Sequence, residues 1–245
     1  MASPLKQFTI EPILDLNIGE TDISFTNSSL WMVITALVLI IFVAVGTRRS
    51  SIVPGRWQSA VEYFYQVVAD MVRDNVGSGG RPYFPFIFAL FMFILFGNLL
   101  GLIPGSFTFT SHLAVTFAMA AFIFIGVTLI GIFTHGLKFF SLFFPHGAPI
   151  VSAPVLIPIE IISYFSRPIS LSVRLFANMT VGHVLLKVIG GGVVALGSFY
   201  ILPGIVPFMA LVAITILEVM IAVIQAYVFA ILTCIYLNDA LNLHH

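Results

Sequence analysis

Residues 166–183 read SRPISLSVRLFANMTVGH, and they lie inside an apolar run that extends from Ile150 to Val188. As a helix rising about 1.5 Å per residue, such a run is roughly 50 Å or more long, against a membrane hydrocarbon core of about 30 Å. A second run, Ile205 to Leu237, is nearly as long, and Gly190–Gly192, Pro203 and Pro207 separate the two. Tilts up to about 40° are ordinary for membrane helices, and these runs need more. Either the helices break, or they form a hairpin lying steeply inclined across the membrane.

That a membrane is the solvent follows from composition. Of 245 residues, 60% are hydrophobic, Phe alone fills 25 positions, and the mean hydropathy is +1.11. One soluble core of this size cannot hide so much apolar surface. The formal net charge is zero, which leaves no basic surface for nucleic acid. A single cysteine, Cys234, excludes an intramolecular disulfide and a thiolate metal cluster. No cofactor or metal is expected. The first 28 residues are polar and mixed, unlike a cleaved signal.

The remaining chain divides readily. Leu30–Thr47 is an uncharged stretch of spanning length. Arg48, Arg49 and Arg56 follow it, and basic flanks stay cytoplasmic, so the N-terminus is expected outside. Between Trp57 and Val76, the residues Trp57, Val61, Phe64, Val68, Met71 and Val72 recur at helical spacing, opposite Gln58, Glu62, Gln66, Asp70 and Asp74. This pattern predicts an amphipathic helix on the inner surface, ended by GSGGRP at 77–82. Residues 84–104 and 112–134 read as two further spans. The expected fold is an all-α membrane protein, residues 1–245 forming one integral membrane domain. It comprises a tail (1–29), a spanning helix (30–47), the surface helix (57–76), perpendicular membrane helices (84–104 and 112–134) and the inclined hairpin (150–188 and 205–237). Asn98, alone in its span, is expected to make an interhelical hydrogen bond. His112 and His135 bracket the next span and are expected at the membrane interface.

At 100° per residue, Glu160, Ser163, Arg167, Ser170 and Asn178 all point within about 40° of Arg174. Such a stripe reads either as packing glued by hydrogen bonds or as a functional face. Energetics favour the second: a charge at mid-bilayer costs about 3 kcal/mol or more unless it meets a partner or water. A guanidinium stays protonated and so passes no protons itself. It can hold a field: about 4 Å from a carboxylate, at an effective dielectric near 20, it favours ionisation by roughly 4 kcal/mol before desolvation. On the second long helix, Glu218 and Gln225 are seven apart and share a face, with Ala222 and Ala226 small enough for close approach. His183 points about 180° away from Arg174 on a straight helix, so His183 and Glu218 are candidates to pair, apart from the arginine. The reading is a proton path interrupted by a fixed positive barrier. Glu160 and Glu218 are tied to stationary helices, so the carboxylate that Arg174 acts on is expected from a mobile partner.

These residues resemble those of the subunit-a family of F-type (rotary) ATP synthases. SRPISLSVRLFANMTVGH (166–183) is similar to that family's stretch around its essential arginine, FGNLLGLIP (96–104) to its third-helix motif, and ITILEVMIAVIQAYVFAILTCIYLNDA (214–240) to its C-terminal helix. The resemblance covers nearly the whole chain. It implies a non-catalytic stator subunit of the F0 sector whose last two helices lie against a ring of c subunits, with peripheral-stalk b subunits as further partners. Protons would enter and leave by two offset half-channels, driven by about 2.3 kcal/mol per 100 mV. By the same resemblance Arg174 is the barrier that meets each ring carboxylate. Gln225 neighbours it, and Asn178 and Ser170 lie along the same interface. Glu160 belongs to the cytoplasmic-side channel, and His183, Glu218 and Asn98 to the other. Some family members carry Glu and His at the positions of His183 and Glu218, and the exchange preserves an acid–imidazole pair. Proton coupling is favoured over sodium, and a bacterial plasma (inner) membrane over the mitochondrial one. The rivals are a self-contained ion channel or secondary transporter, and a haem anchor needing two facing histidines. No phosphate-cradling loop is present, so no nucleotide is expected on this chain.

Overall fold

The computed structural model describes residues 9–14, 17–18, 21–22, 24–48, 51, 53–103, 105–136, 138–139, 153–197 and 201–242. Residues 1–8 of the tail, Arg49 and the expected hairpin start at 150–152 lie outside them. Among the described residues, five helical segments are long and apolar enough to cross a membrane. One departure from the all-α expectation lies in the tail, where two short antiparallel ladders pair β1 (Pro12–Leu14) with β4 (Phe25–Thr26) and β2 (Asn17–Ile18) with β3 (Thr21–Asp22). The alternating TDISFT pattern at 21–26 carries β-branched and aromatic residues, which suit a strand.

α1 runs Asn27–Thr47, three residues earlier than hydropathy alone suggests, because Thr26 caps it by accepting from the Ser29 amide. The Asn27 side chain holds the tail back against this helix start, accepting from Glu11 N and donating to Thr9 O. α2 runs Arg56–Val76 and buries Val61, Val68, Met71, Val72 and Val76. It packs with α1 and α3 through Phe64, whose ring lies 6.4 Å from Phe42 and 6.2 Å from Phe91. Gly77 ends it at φ 73, a conformation that favours glycine. A 3-10 segment, Gly77–Tyr83, then leads into α3, Phe84–Gly101. α3 is the most enclosed helix of the first half, with Ile87, Phe91, Met92, Ile94 and Leu95 in the core. After a loop, α4 runs Leu113–His135.

α5 spans Ala153–Gly197 and α6 Ile201–Leu241. Neither breaks. α5 passes through Pro158, Pro168 and the glycine run 190–192 that sequence reading set between the helices; Pro203 and Pro207 likewise lie inside α6. Glycine in a helix costs about 1 kcal/mol, a weak penalty beside that of leaving backbone groups unbonded in hydrocarbon. The two helices pack antiparallel. Leu171, Leu175, Met179 and His183 recur every four residues and are buried against Glu218, Ala222, Ala226, Phe229 and Ala230. Ala222, Ala226 and Ala230 have no exposed surface, and small residues at four-residue spacing bring the helix backbones together.

A leucine at position 226 inserts three carbons into that closed seam. Ala226→Leu is expected to cost about 1–3 kcal/mol, read as a lower thermal midpoint in detergent. Ile224→Leu, at a position 53% exposed, is expected to leave the midpoint unchanged.

Candidate functional site

Four polar side chains from the hairpin seam are buried or half-buried in one place. Asn178 Nδ2 donates to Gln225 Oε1 at 3.0 Å, joining α5 to α6. One turn further along α5, Gly182 faces Glu218; a Cβ there would sit 2.7 Å from the carboxylate oxygen. Glycine therefore makes the seat for this acid. Glu218 is 5% exposed, and neither of its carboxylate oxygens has a hydrogen-bond partner. His183 is 6% exposed and its Nε2 lies 2.9 Å from Thr108 Oγ1. His183, Glu218, Gly182 and Asn178 line a common cavity of about 10 Å³. That is the lower limit for one water molecule. His183 and Glu218 are thus neighbours across a cavity, without the direct hydrogen bond that an acid–imidazole pair suggests.

The loop 105–112 completes the cluster, and sequence reading passed over it. Ser106, Thr108, Thr110 and Ser111 are all buried. Thr110 Oγ1 donates to Asn98 Oδ1 at 2.9 Å, and Thr180 Oγ1 to the Ser111 carbonyl at 3.2 Å. Asn98 therefore bonds the loop, where a bond to a neighbouring helix was expected, and its Nδ2 has no partner. The loop sits tightly on the end of α3: a Cβ on Gly97 would meet Phe109 at 2.5 Å, and one on Gly101 would meet Thr108 Oγ1 at 2.6 Å. The available signal was SFTFTSH (106–112), alternating hydroxyls and aromatics in a chain otherwise poor in polar residues. His112 stacks on Phe107 with ring centroids 5.1 Å apart, and burial pushes its pKa below the ordinary histidine value. His135 does more than sit at a span end: its Nε2 lies 3.0 Å from the Leu241 carbonyl, tying α4 to α6.

The stripe through Arg174 divides in two. Arg167 turns into the bundle, where Nη1 donates to Asp239 Oδ2 at 2.8 Å and the guanidinium lies 5.7 Å and 5.2 Å from the rings of Tyr164 and Tyr236. Tyr164 in turn shares a 2.8 Å hydrogen bond with Thr128 of α4. Asp239 and both tyrosines were missed; the lone acid near the end of a 41-residue apolar helix was the signal. Arg174 and Ser170 face outward and exposed, and Glu160 is half-exposed. Among the described residues, no carboxylate lies within 4.0 Å of Arg174. Exposed apolar side chains of the same two helices include Val173, Val181, Val223 and Tyr227. Among the described residues, no three His, Cys, Asp or Glu side chains are grouped to hold a metal ion.

An integral membrane helix bundle with a polar, partly unsatisfied cluster between two long helices is the class this geometry defines. The family model described as "ATP synthase A chain" matches residues 29–238. Similar relatives named ATP synthase subunit a come from Paramagnetospirillum magneticum (60% identical, covering all of both chains) and Rhodospirillum rubrum (57%, all of both). A third, from Parvibaculum lavamentivorans, is 52% identical over 99% of this chain and 94% of that one. The chain belongs to the ATP synthase subunit a family, the membrane (F0) component of that complex.

Asp239→Asn leaves the half-buried Arg167 without its counter-charge. After allowance for solvent screening at about one-third exposure, the expected loss is about 1 kcal/mol of thermal stability in detergent. The exchange Arg167→Asp with Asp239→Arg is expected to recover more than half of it; no recovery would mean that geometry, and not charge, holds the pair.

Proposed function

We propose that this chain is the stator that couples proton flow to rotation of a ring of c subunits, using two offset half-channels kept apart by Arg174. The observation that carries this reading is the guanidinium itself. It is permanently charged, sits on an exposed face one turn from the Asn178–Gln225 pair, and among the described residues has no acid within ion-pair distance. A charge so placed in hydrocarbon requires an external carboxylate or water. A ring carboxylate, neutral while in lipid, ionises on reaching it and releases its proton.

Along α5 the arginine has polar groups on both sides: Glu160 about 21 Å before it, and His183 about 14 Å after it. Loop 105–112, Asn98, Thr108, His183 and Glu218 make one half-channel; Glu160 belongs to the other. Loop 105–112, the α1 start and the tail are assigned to the outer side, and the α4 end, the α5 start and Asp239 to the cytoplasmic side. The arginines after α1 support that orientation. In the same reading α2 lies along the inner surface and α5 and α6 are steeply inclined, since 45 and 41 residues make about 68 Å and about 62 Å of helix against a core of about 30 Å. The peripheral-stalk b subunits hold the stator still. The membrane is a bacterial plasma membrane, in keeping with relatives from Paramagnetospirillum and Rhodospirillum.

Arg174→Ala is expected to abolish ATP-driven proton pumping in membranes carrying the assembled complex while raising passive proton leak. Pumping at the wild-type rate would defeat the mechanism. Arg174→Lys is expected to fail nearly as badly, because an ammonium is compact, strongly hydrated and able to lose its proton. The chain reconstituted alone is expected to carry no ion flux, and measurable flux would favour the self-contained channel. For the outer pair, His183→Glu combined with Glu218→His is expected to pump faster than either single variant. A double variant no better than the worse single one would show that the two groups do not cooperate.

A further inference from the structure

The loop between α3 and α4 puts one hydroxyl in contact with the proposed carrier His183. Thr108 Oγ1 is buried, 2.9 Å from His183 Nε2 and 3.1 Å from the Gly101 carbonyl. Gly101 is the last residue of α3, and the amides of Leu102 and Ile103 turn back to the carbonyls of Leu99 and Leu100. The Gly101 oxygen is left to hydroxyl donors, Thr108 and Ser106. Ser106 Oγ lies closer to Ile103 O, at 2.7 Å, than to Gly101 O, at 2.9 Å, and has one proton to give. Absence of a side chain at Gly101 is what lets Thr108 lie over this helix end.

A hydroxyl has one proton and two lone pairs, whereas a carbonyl oxygen only accepts. Thr108 therefore spends its proton on Gly101 and turns a lone pair to His183, where only an N–H satisfies it. The 2.9 Å separation is the usual length of an N–H···O bond. We infer that Thr108 is a positioning residue, which holds His183 with a proton on Nε2 and makes Nδ1 the nitrogen that gains and loses protons. The inference rests on the reading of His183 as a proton carrier. It adds that this carrier works at one nitrogen, without turning its ring. Among the described residues, the titratable groups facing the imidazole include Glu218 across the cavity from α6 and Lys187 one turn on along α5; the loop's own His112 is stacked on Phe107.

The test uses the assembled complex in membranes with ¹⁵N-labelled histidine, the His183 signals being assigned with His183→Gln. At a pH where the ring is neutral, the wild type is expected to show a protonated Nε2 and an unprotonated Nδ1. Thr108→Val is expected to mix the two tautomers, lower ATP-driven proton pumping about fivefold and shift its pH profile; Thr108→Ser is expected to restore all three. A proton on Nδ1 in the wild type overturns the inference, and that spectrum decides even if Thr108→Val does not assemble. So does a Thr108→Val variant with wild-type spectrum and pumping. If His183→Gln abolishes pumping while Thr108→Val leaves it intact, only this inference falls. If His183→Gln pumps like the wild type, the reading of His183 as a carrier falls and takes the inference with it.

Discussion

Hydrocarbon supplies no hydrogen bonds, so every polar group at membrane depth must find its partner in the protein or in enclosed water. The two polar regions of the hairpin answer this demand differently. Around Asp239 it is met: the guanidinium of Arg167 has a carboxylate and two aromatic faces, and Tyr164 has Thr128. Around Gly182 it is met only in part. Both oxygens of Glu218, the Nε2 of Gln225 and the Nδ2 of Asn98 are buried without a partner. A saturated network fixes packing, while buried groups left short of partners are costly and are kept for a reason. The cavity beside Glu218 has room for about one water, which is the means by which such groups are satisfied.

Small residues make this arrangement physically possible. Gly182 lets a carboxylate lie against the backbone of α5, Gly101 lets a hydroxyl lie over the end of α3, and Gly97 makes room for the ring of Phe109. Ala222, Ala226 and Ala230 draw α6 onto α5 so that His183, nine residues from Arg174, and Glu218 remain packed inside. None of the glycines does chemistry. Each sets a distance on which the chemistry depends, and a single added methyl at Gly182 displaces the acid it faces.

Much of this was legible in the residues. Apolar runs marked the helices, and the stretch 57–76, read as one helix, coincides with α2, Arg56–Val76. The rarity of charge in hydrocarbon drew attention to Arg174, Glu218 and His183. What stayed hidden depended on contacts between segments distant in sequence. Helical phase put Arg167 on the same stripe as Arg174, but it cannot reveal Asp239, 72 residues away, which pulls the first guanidinium inward. Loop 105–112 alternates hydroxyls and aromatics, but alternation alone does not say what the hydroxyls meet, and only the fold sets them beside Asn98 and His183. The glycine run at 190–192 read as a break because propensity is calibrated in water, whereas a membrane helix keeps its backbone bonds.

The same seam explains why the proposed path has to leave this subunit. Between the Asn178–Gln225 pair and the Arg167–Asp239 pair, α5 contributes Leu171 and Leu175, and α6 contributes Ala226, Phe229, Ala230, Cys234 and Leu237, each at most 2% exposed. Ser172 and Thr233 are the buried polar side chains in this interval, and their hydroxyls bond back to the Ile169 and Phe229 carbonyls of their own helices. So closed a stretch offers a proton neither water nor a chain of exchangeable groups. If the polar groups on either side of Arg174 serve one proton route, the connection runs outside the hairpin, over the exposed face that bears the guanidinium. A carrier crossing that face through lipid has to be neutral, and one arriving at the arginine has to become charged; a carboxylic acid on a moving partner satisfies both conditions. On the proposed function, the dry seam and the exposed charge are two halves of one device, the first closing the inner route and the second setting the terms of the outer one.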